Sequence, residues 1–189
     1  MHIGLYFGSF NPIHIGHLII ANHVLQHSEI DKLWFVISPH NPLKESHSLL
    51  NEYHRLHLVE LAIESNPKFR ASSVEFSLPK PSYTIDTLTY LQEKFPLEKF
   101  SVIMGSDSFQ NIHRWKNPEQ LLANYELLVY RRPGFEIKIP EGARIQTMDA
   151  PLLEISASFI RQQLKQKKSV QYLLPDEVWE YVVANRYYL

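Results

Sequence analysis

Gly8-Ser9-Phe10-Asn11-Pro12-Ile13-His14-Ile15-Gly16-His17 stands between two apolar segments of different period. Before it, residues 3–7 form a short continuous apolar run, which predicts a strand buried on both faces. After it, Leu18-Ile19-Ile20-Ala21 and Val24-Leu25 recur with helical spacing. Strand, small-residue turn and helix N-terminus follow one another. In an α/β protein that junction lies at the carboxyl edge of the sheet, where ligands sit. The unpaired N–H groups and positive dipole end of the helix favour an anion there. Gly8 and Gly16 carry no Cβ and let the backbone approach a bulky ligand closely, while Pro12 stiffens the loop between them.

His14 and His17 are three apart across the first helical turn, so both rings reach one side. Each can donate to a phosphate oxygen, and either could carry a proton near neutral pH. Such a pair suits a reaction in which charge grows on a transferring phosphoryl or nucleotidyl group. With ten histidines in the chain, a lone His-x-x-His would carry little weight. A zinc pair lacks cysteine and a clear third ligand. The whole decapeptide in its strand–turn–helix setting carries the argument.

Outward from this run, strand and helix signals alternate. Residues 32–38 read as a second buried strand, followed by a loop with two prolines that ends at Lys44. Lys44 is either a solvated lysine or a mobile charge that swings towards the same phosphates. Residues 51–65 have amphipathic helical character with Asn51 as N-cap. A third strand is expected within residues 70–77, with Val74 and Phe76 on one face. Ser82-Tyr83-Thr84 opens a helix to about Lys94, with Ser82 or Thr84 as its cap. Residues 100–104 form the fourth strand and run into Gly105-Ser106-Asp107. There an acid either meets a ribose hydroxyl or metal-bound phosphate, or caps the next short helix. Trp115, in the polar stretch before Lys116, is either a lid over the core or a stacking platform.

Residues 126–130 give the fifth strand, closed by Arg131-Arg132, and residues 144–148 a last short one. Ile155 then leads into a helix capped by Ser156, with Ser158 and Arg161 on its first turn. This is a second anion site by the same physics. Pro175 begins a terminal helix with acids in its first turn. The alternation implies an α/β fold: a Rossmann-like, doubly wound, mainly parallel sheet of five to six strands with helices on both faces.

At 189 residues, one domain spanning 1–189 is expected, the part from about 150 forming a helical subregion. A formal net charge of −1 argues against a broad nucleic-acid footprint but leaves room for a local phosphate site. No apolar run reaches the length of a membrane span, and the first strand starts at once without a leader-like segment. Together with zero cysteines, this leads to the expectation of a cytoplasmic protein. Aromatic residues and leucine near the C-terminus suit either a core or an interface between copies, so a homo-oligomer stays open.

The opening decapeptide resembles the Gly-x-Phe-x-Pro-x-His-x-Gly-His signature of the nucleotidyltransferase superfamily. The further motifs are residues 39–44, Ser82-Tyr83-Thr84 with Asp86-Thr87-Leu88, Gly105-Ser106-Asp107, Trp115-Lys116, Arg132-Pro133-Gly134 and residues 155–161. With them, nearly the whole chain resembles the bacterial nicotinate-nucleotide adenylyltransferase branch. Asn11 stands where that family usually has Asp, and Ser156-Ala157-Ser158 where it has Ser-Ser-Thr.

The resemblance implies an enzyme that joins ATP to nicotinic acid mononucleotide, with Mg²⁺ carried by the ATP phosphates rather than by a protein cage. It implies that His14 and His17 serve the triphosphate, and that Lys44, Ser158 and Arg161 hold the departing pyrophosphate. Gly8, Ser9, Phe10, Gly16, Gly105, Ser106, Asp107, Arg132, Ile155 and Ser156 would surround ATP. Ser82, Tyr83, Thr84, Trp115 and Lys116 would surround the mononucleotide. Acceptors used by related enzymes are nicotinamide mononucleotide, phosphopantetheine and cytidylyl acceptors. A nucleotide sensor that kept the fold without turnover is the reading outside the enzyme class.

Overall fold

The computed structural model describes residues 1–39 and 49–189. Six strands form one sheet: β1 (His2–Gly8), β2 (Lys32–Ile37), β3 (Phe69–Ser72), β4 (Lys99–Gly105), β5 (Glu126–Tyr130) and β6 (Ile145–Met148). Their order is β3-β2-β1-β4-β5-β6, and every neighbouring pair is parallel. The chain works outward from β1 to β3, then returns to lay β4 on the other side of β1. That reversal opens a crevice at the carboxyl ends of β1 and β4, the place where doubly wound sheets take their ligands. The register aligns the strand ends around it, with Gly8 opposite Ile37 and Gly105 opposite Tyr130.

Around the sheet run α1 (Ile15–His27), α2 (Glu52–Ile63), α3 (Thr84–Lys94), α4 (Ser106–Phe109), α5 (Pro118–Asn124), α6 (Ala157–Lys165) and α7 (Asp176–Ala184). Side chains alternate across each strand, so both faces must be covered. On one face Tyr6, Phe35, Ile103 and Leu128 pack with Ala21 and Val24 of α1, Leu58 and Val59 of α2, Ile160 of α6 and Val178 of α7. On the other, Leu5, Trp34, Val102 and Val129 pack with Ile85, Leu88 and Leu91 of α3, Phe109 of α4 and Leu121 of α5. The C-terminal Tyr181, Tyr187 and Tyr188 pack against the first of these cores. Among the described residues, no helix is long and apolar enough to cross a membrane.

Asn51 caps α2 as its chemistry requires, its side chain accepting from the Tyr53 N–H at 2.9 Å. The third strand departs from expectation. It ends at Ser72, and Val74 and Phe76 lie in a 3-10 turn, Val74–Ser77, instead of on one face of a strand. The Phe76 N–H closes that turn on the Ser73 carbonyl at 2.9 Å, and the turn carries Glu75 into the protein interior.

Candidate active site

At the crevice, the histidine motif is held from several sides. Phe10 adopts φ 45°, left-handed for a non-glycine residue, and its ring is buried between Tyr6, Phe35 and His17. A Cβ on Gly8 would meet the Phe10 ring at 2.8 Å, and one on Gly16 would meet the His14 ring at 3.1 Å. The close approach these glycines permit is therefore to side chains of their own motif. Gly16 leaves the space into which the His14 ring folds.

His14 and His17 stack, with centroids 3.7 Å apart. The His14 backbone N–H donates to His17 Nδ1 at 3.2 Å. Neutral imidazole has one donor and one acceptor nitrogen, so this bond places the His17 proton on Nε2. His14 is 5% exposed, and its Nδ1 is buried with no hydrogen-bond partner. Burial, with Arg132 nearby, pushes its pKa down to about 4. The two histidines are therefore unequal, and the expectation that either titrates near neutral pH fails for His14. It is a neutral imidazole there, because an imidazolium in that position would lose its hydration and face a guanidinium.

Residues leaving β4 and β5 form the opposite wall. The Ser106 hydroxyl accepts from the Arg132 N–H at 2.8 Å, tying the two strand ends together. Arg132 Nε lies 3.4 Å from Asp107 Oδ1. A side chain on Gly105 would collide with the Asp107 carboxylate, so glycine is what lets this pair fold over the end of β4. Gly105, not Asp107, holds the N-cap position of α4, and Asp107 turns to the arginine instead.

α6 brings the second helix N-terminus to the same place. Ser156 caps it, accepting from the Phe159 N–H at 3.1 Å. Arg161 Nη1 donates to the Asn11 carbonyl at 2.8 Å, and its Nη2 donates to the Ser158 hydroxyl at 3.3 Å. Ile155 lies against Gly16. Two helix starts separated by about 140 residues of chain thus meet, with a guanidinium bridging them. Asn11 accepts from the Leu50 N–H through its side chain, which serves that bond as an aspartate would.

The residues expected around the mononucleotide gather beside α3. Tyr83 occupies its N-cap position without a side-chain cap bond, and Thr84 is the first helical residue. Neither Ser82 nor Thr84 caps it, contrary to expectation, because the Ser82 hydroxyl donates to Glu75 Oε2 at 2.8 Å. Trp115 is half-buried against the second core. Lys116 Nζ donates to both Asp86 oxygens, at 3.0 and 2.8 Å, and lies 5.0 Å above the Tyr83 ring. Lys44, with most of its loop, falls among residues 40–48, outside the described residues.

Two residues escaped the sequence reading. Arg55, on α2, is 0% exposed. It donates to the carbonyls of Leu50, Ser9, Ser38 and Pro39 at 2.8, 2.6, 2.8 and 3.0 Å. It fastens the motif loop to the end of β2 and the start of α2. The available signal was its phase, since 55, 58 and 59 share one helix face with the core residues Leu58 and Val59. Glu75 is the other. Its signal was the pair of hydroxyls, Ser82 and Thr87, placed where an acid can collect both.

Fold and site together are those of a nucleotidyltransferase: the chain belongs to the cytidylyltransferase-like family, whose model matches residues 5–163. Its relatives narrow the branch. A "Probable nicotinate-nucleotide adenylyltransferase" of Flavobacterium psychrophilum is 50% identical, covering 100% of this chain and 99% of the relative. A protein of the same description from Cytophaga hutchinsonii is 51% identical, covering 100% of this chain and 98% of the relative. Among solved structures, Plasmodium falciparum nicotinic acid mononucleotide adenylyltransferase complexed with NaAD superposes with a TM-score of 0.84. It is 23% identical, and the match covers 99% of this chain and 97% of that one. This likeness bears on the fold.

Proposed function

We propose that this protein transfers the adenylyl group of ATP to nicotinic acid mononucleotide, releasing pyrophosphate and forming deamido-NAD. The observation that carries the reading is the meeting of the α1 and α6 N-termini over the β1/β4 crevice, with Arg161 bonded to the Asn11 carbonyl between them. Two helix starts, a guanidinium and two histidines make a site for a polyanion, and the 50% identical relative carries this activity in its name.

In this reading the mononucleotide phosphate oxygen attacks the α-phosphorus in line. The P–O bond to the β-phosphate breaks, and pyrophosphate leaves with the electron pair. The protein needs no covalent intermediate, only positioning and charge stabilisation. Nε2–H of His17 donates to the oxygens on which charge accumulates, and neutral His14 contributes a second polar contact without placing a cation there. Ser158, Arg161 and Lys44 hold the pyrophosphate portion. Gly8, Ser9, Phe10 and Gly16 pass beneath the triphosphate, and Ile155 and Ser156 border it from α6. Gly105, Ser106, Asp107 and Arg132 line the adenylate side.

Mg²⁺ enters as part of the substrate MgATP, coordinated by phosphate oxygens and water. The uncapped start of α3, with Thr84 and the backbone at Lys116, receives the pyridine carboxylate while Trp115 stacks on the ring. Ser82 and Tyr83 support this segment from behind. Residues 1–189 act as a single unit in the cytoplasm, the part from about 150 completing the ATP site.

Pyrophosphate release from MgATP, with nicotinic acid mononucleotide, its amide and phosphopantetheine offered separately, tests the reading. Preference for the acid by about tenfold or more is expected, the worth of a charge-assisted contact of about 1.5–3 kcal/mol. His17→Ala should lower kcat by about 10²–10³-fold with unchanged thermal unfolding. Release with none of the acceptors, or a folded His17→Ala protein of normal turnover, overturns it.

A further inference from the structure

Glu75 is the one buried acid among the described residues, 2% exposed, and no cation there pairs with it. A buried carboxylate without a cation is costly, and the group keeps a proton more readily than it keeps a charge. Its surroundings are hydroxyls. Oε2 lies 2.8 Å from Ser82 Oγ and Oε1 lies 2.9 Å from Thr87 Oγ1. The Ser38 hydroxyl, at the end of β2, faces it as well. Thr87 Oγ1 is also 3.2 Å from the Tyr83 carbonyl, so its single hydrogen has two acceptors to serve. A proton on Glu75 Oε1 resolves this. Glu75 then donates to Thr87, Thr87 donates to the Tyr83 carbonyl, and Ser82 donates to Glu75 Oε2.

We propose that Glu75 is held as the neutral acid and is a positioning and specificity residue for the acceptor pocket, which it serves in two ways. It engages the hydroxyls of Ser82 and Thr87, which flank the start of α3, and so leaves the first N–H groups of that helix open to a substrate carboxylate. Being neutral, it adds no negative charge behind that carboxylate. The inference rests on the acceptor site described under Proposed function. Burial pushes the Glu75 carboxyl up and outweighs the hydrogen bonds from Ser82, Thr87 and Ser38, which act to lower it. The groups facing it from the residue after β2, the loop before α3 and α3 itself are the hydroxyls of Ser38, Ser82 and Thr87, with no charged group among those that shift it.

An infrared pH titration of the wild-type protein tests the proton directly. A carboxylic-acid carbonyl band that persists to neutral pH, vanishes in Glu75→Gln and shifts in Thr87→Val is expected. A spectrum in which no such band survives at neutral pH overturns the proposal whether or not the enzyme turns over. Steady-state kinetics test the role. As pH rises and Glu75 ionises, KM for nicotinic acid mononucleotide should climb by about tenfold, while KM for the amide and kcat stay level. Glu75→Gln, which mimics the neutral acid, should abolish that climb, and Glu75→Ala should raise KM at every pH. Parallel KM curves for wild type and Glu75→Gln overturn the role. Absence of turnover in the wild type counts against the proposed reaction, and the infrared band still decides the state of Glu75.

Discussion

His14 and His17 are spaced as equals, yet their environments give them different chemistry. His17 is oriented by a backbone N–H and presents a defined proton, whereas His14 sits in a dry niche left by Gly16. The niche has a consequence for stability. The His14 pKa falls from 6.5 to about 4 on folding, so the unfolded chain binds more protons between those values. His14 burial is therefore fully tolerated above about pH 6.5, and stability is lost as pH falls through 6.5 towards 4. The loss is about 3 kcal/mol by the size of the shift. Denaturant unfolding followed across this range should show wild type losing that much more stability than His14→Gln. Coincident pH curves would mean that His14 is as well solvated folded as unfolded.

At the scale of elements, loops and helix ends are joined by a few polar side chains rather than by strand pairing. Arg55 is the strongest case, since its four hydrogen bonds serve carbonyls in three separate segments. Arg55→Met should destabilise the fold by about 3 kcal/mol or more, because several buried carbonyls lose their donor together. Arg55→Lys should recover little, as a single ammonium cannot reproduce the planar fork. Both are read by chemical denaturation. The same variants should raise KM for ATP, because the Ser9 carbonyl belongs to the motif loop. Arg55 reads from sequence as one more polar residue on an amphipathic helix, and only its packing reveals the role.

Across the whole molecule, the C-terminal segment completes the first core. Val178 and Val182 of α7 are buried there, and the Tyr187 hydroxyl lies 2.9 Å from His54 Nδ1 on α2. Removing residues 176–189 should uncover Leu58 and Val59 and loosen the helix that carries Arg55. Loss of cooperative thermal unfolding and binding of a hydrophobic dye are expected. A truncated protein that melts like wild type would show that α7 is dispensable to this core. The same packing accounts for the C-terminal tyrosines, whose placement in a core or an interface the composition alone leaves open.

By itself the sequence determined the alternation of strand and helix, the histidine turn at a strand end, and the caps supplied by Asn51 and Ser156. All of these follow from local periodicity and short-range hydrogen bonding, and local information suffices to write them. The strand count narrowed from five or six to six, and the sheet is parallel throughout. The tertiary structure decided what depends on partners distant in the chain. It turned residues 74–77 away from β3, because Glu75 finds its hydroxyls in Ser82 and Thr87. It buried Arg55 among carbonyls from three segments and brought Arg161 to Asn11, 150 residues away. It also made His14 neutral. Burial and long-range polar pairing set these properties, and neither exists until the sheet has brought its strand ends together.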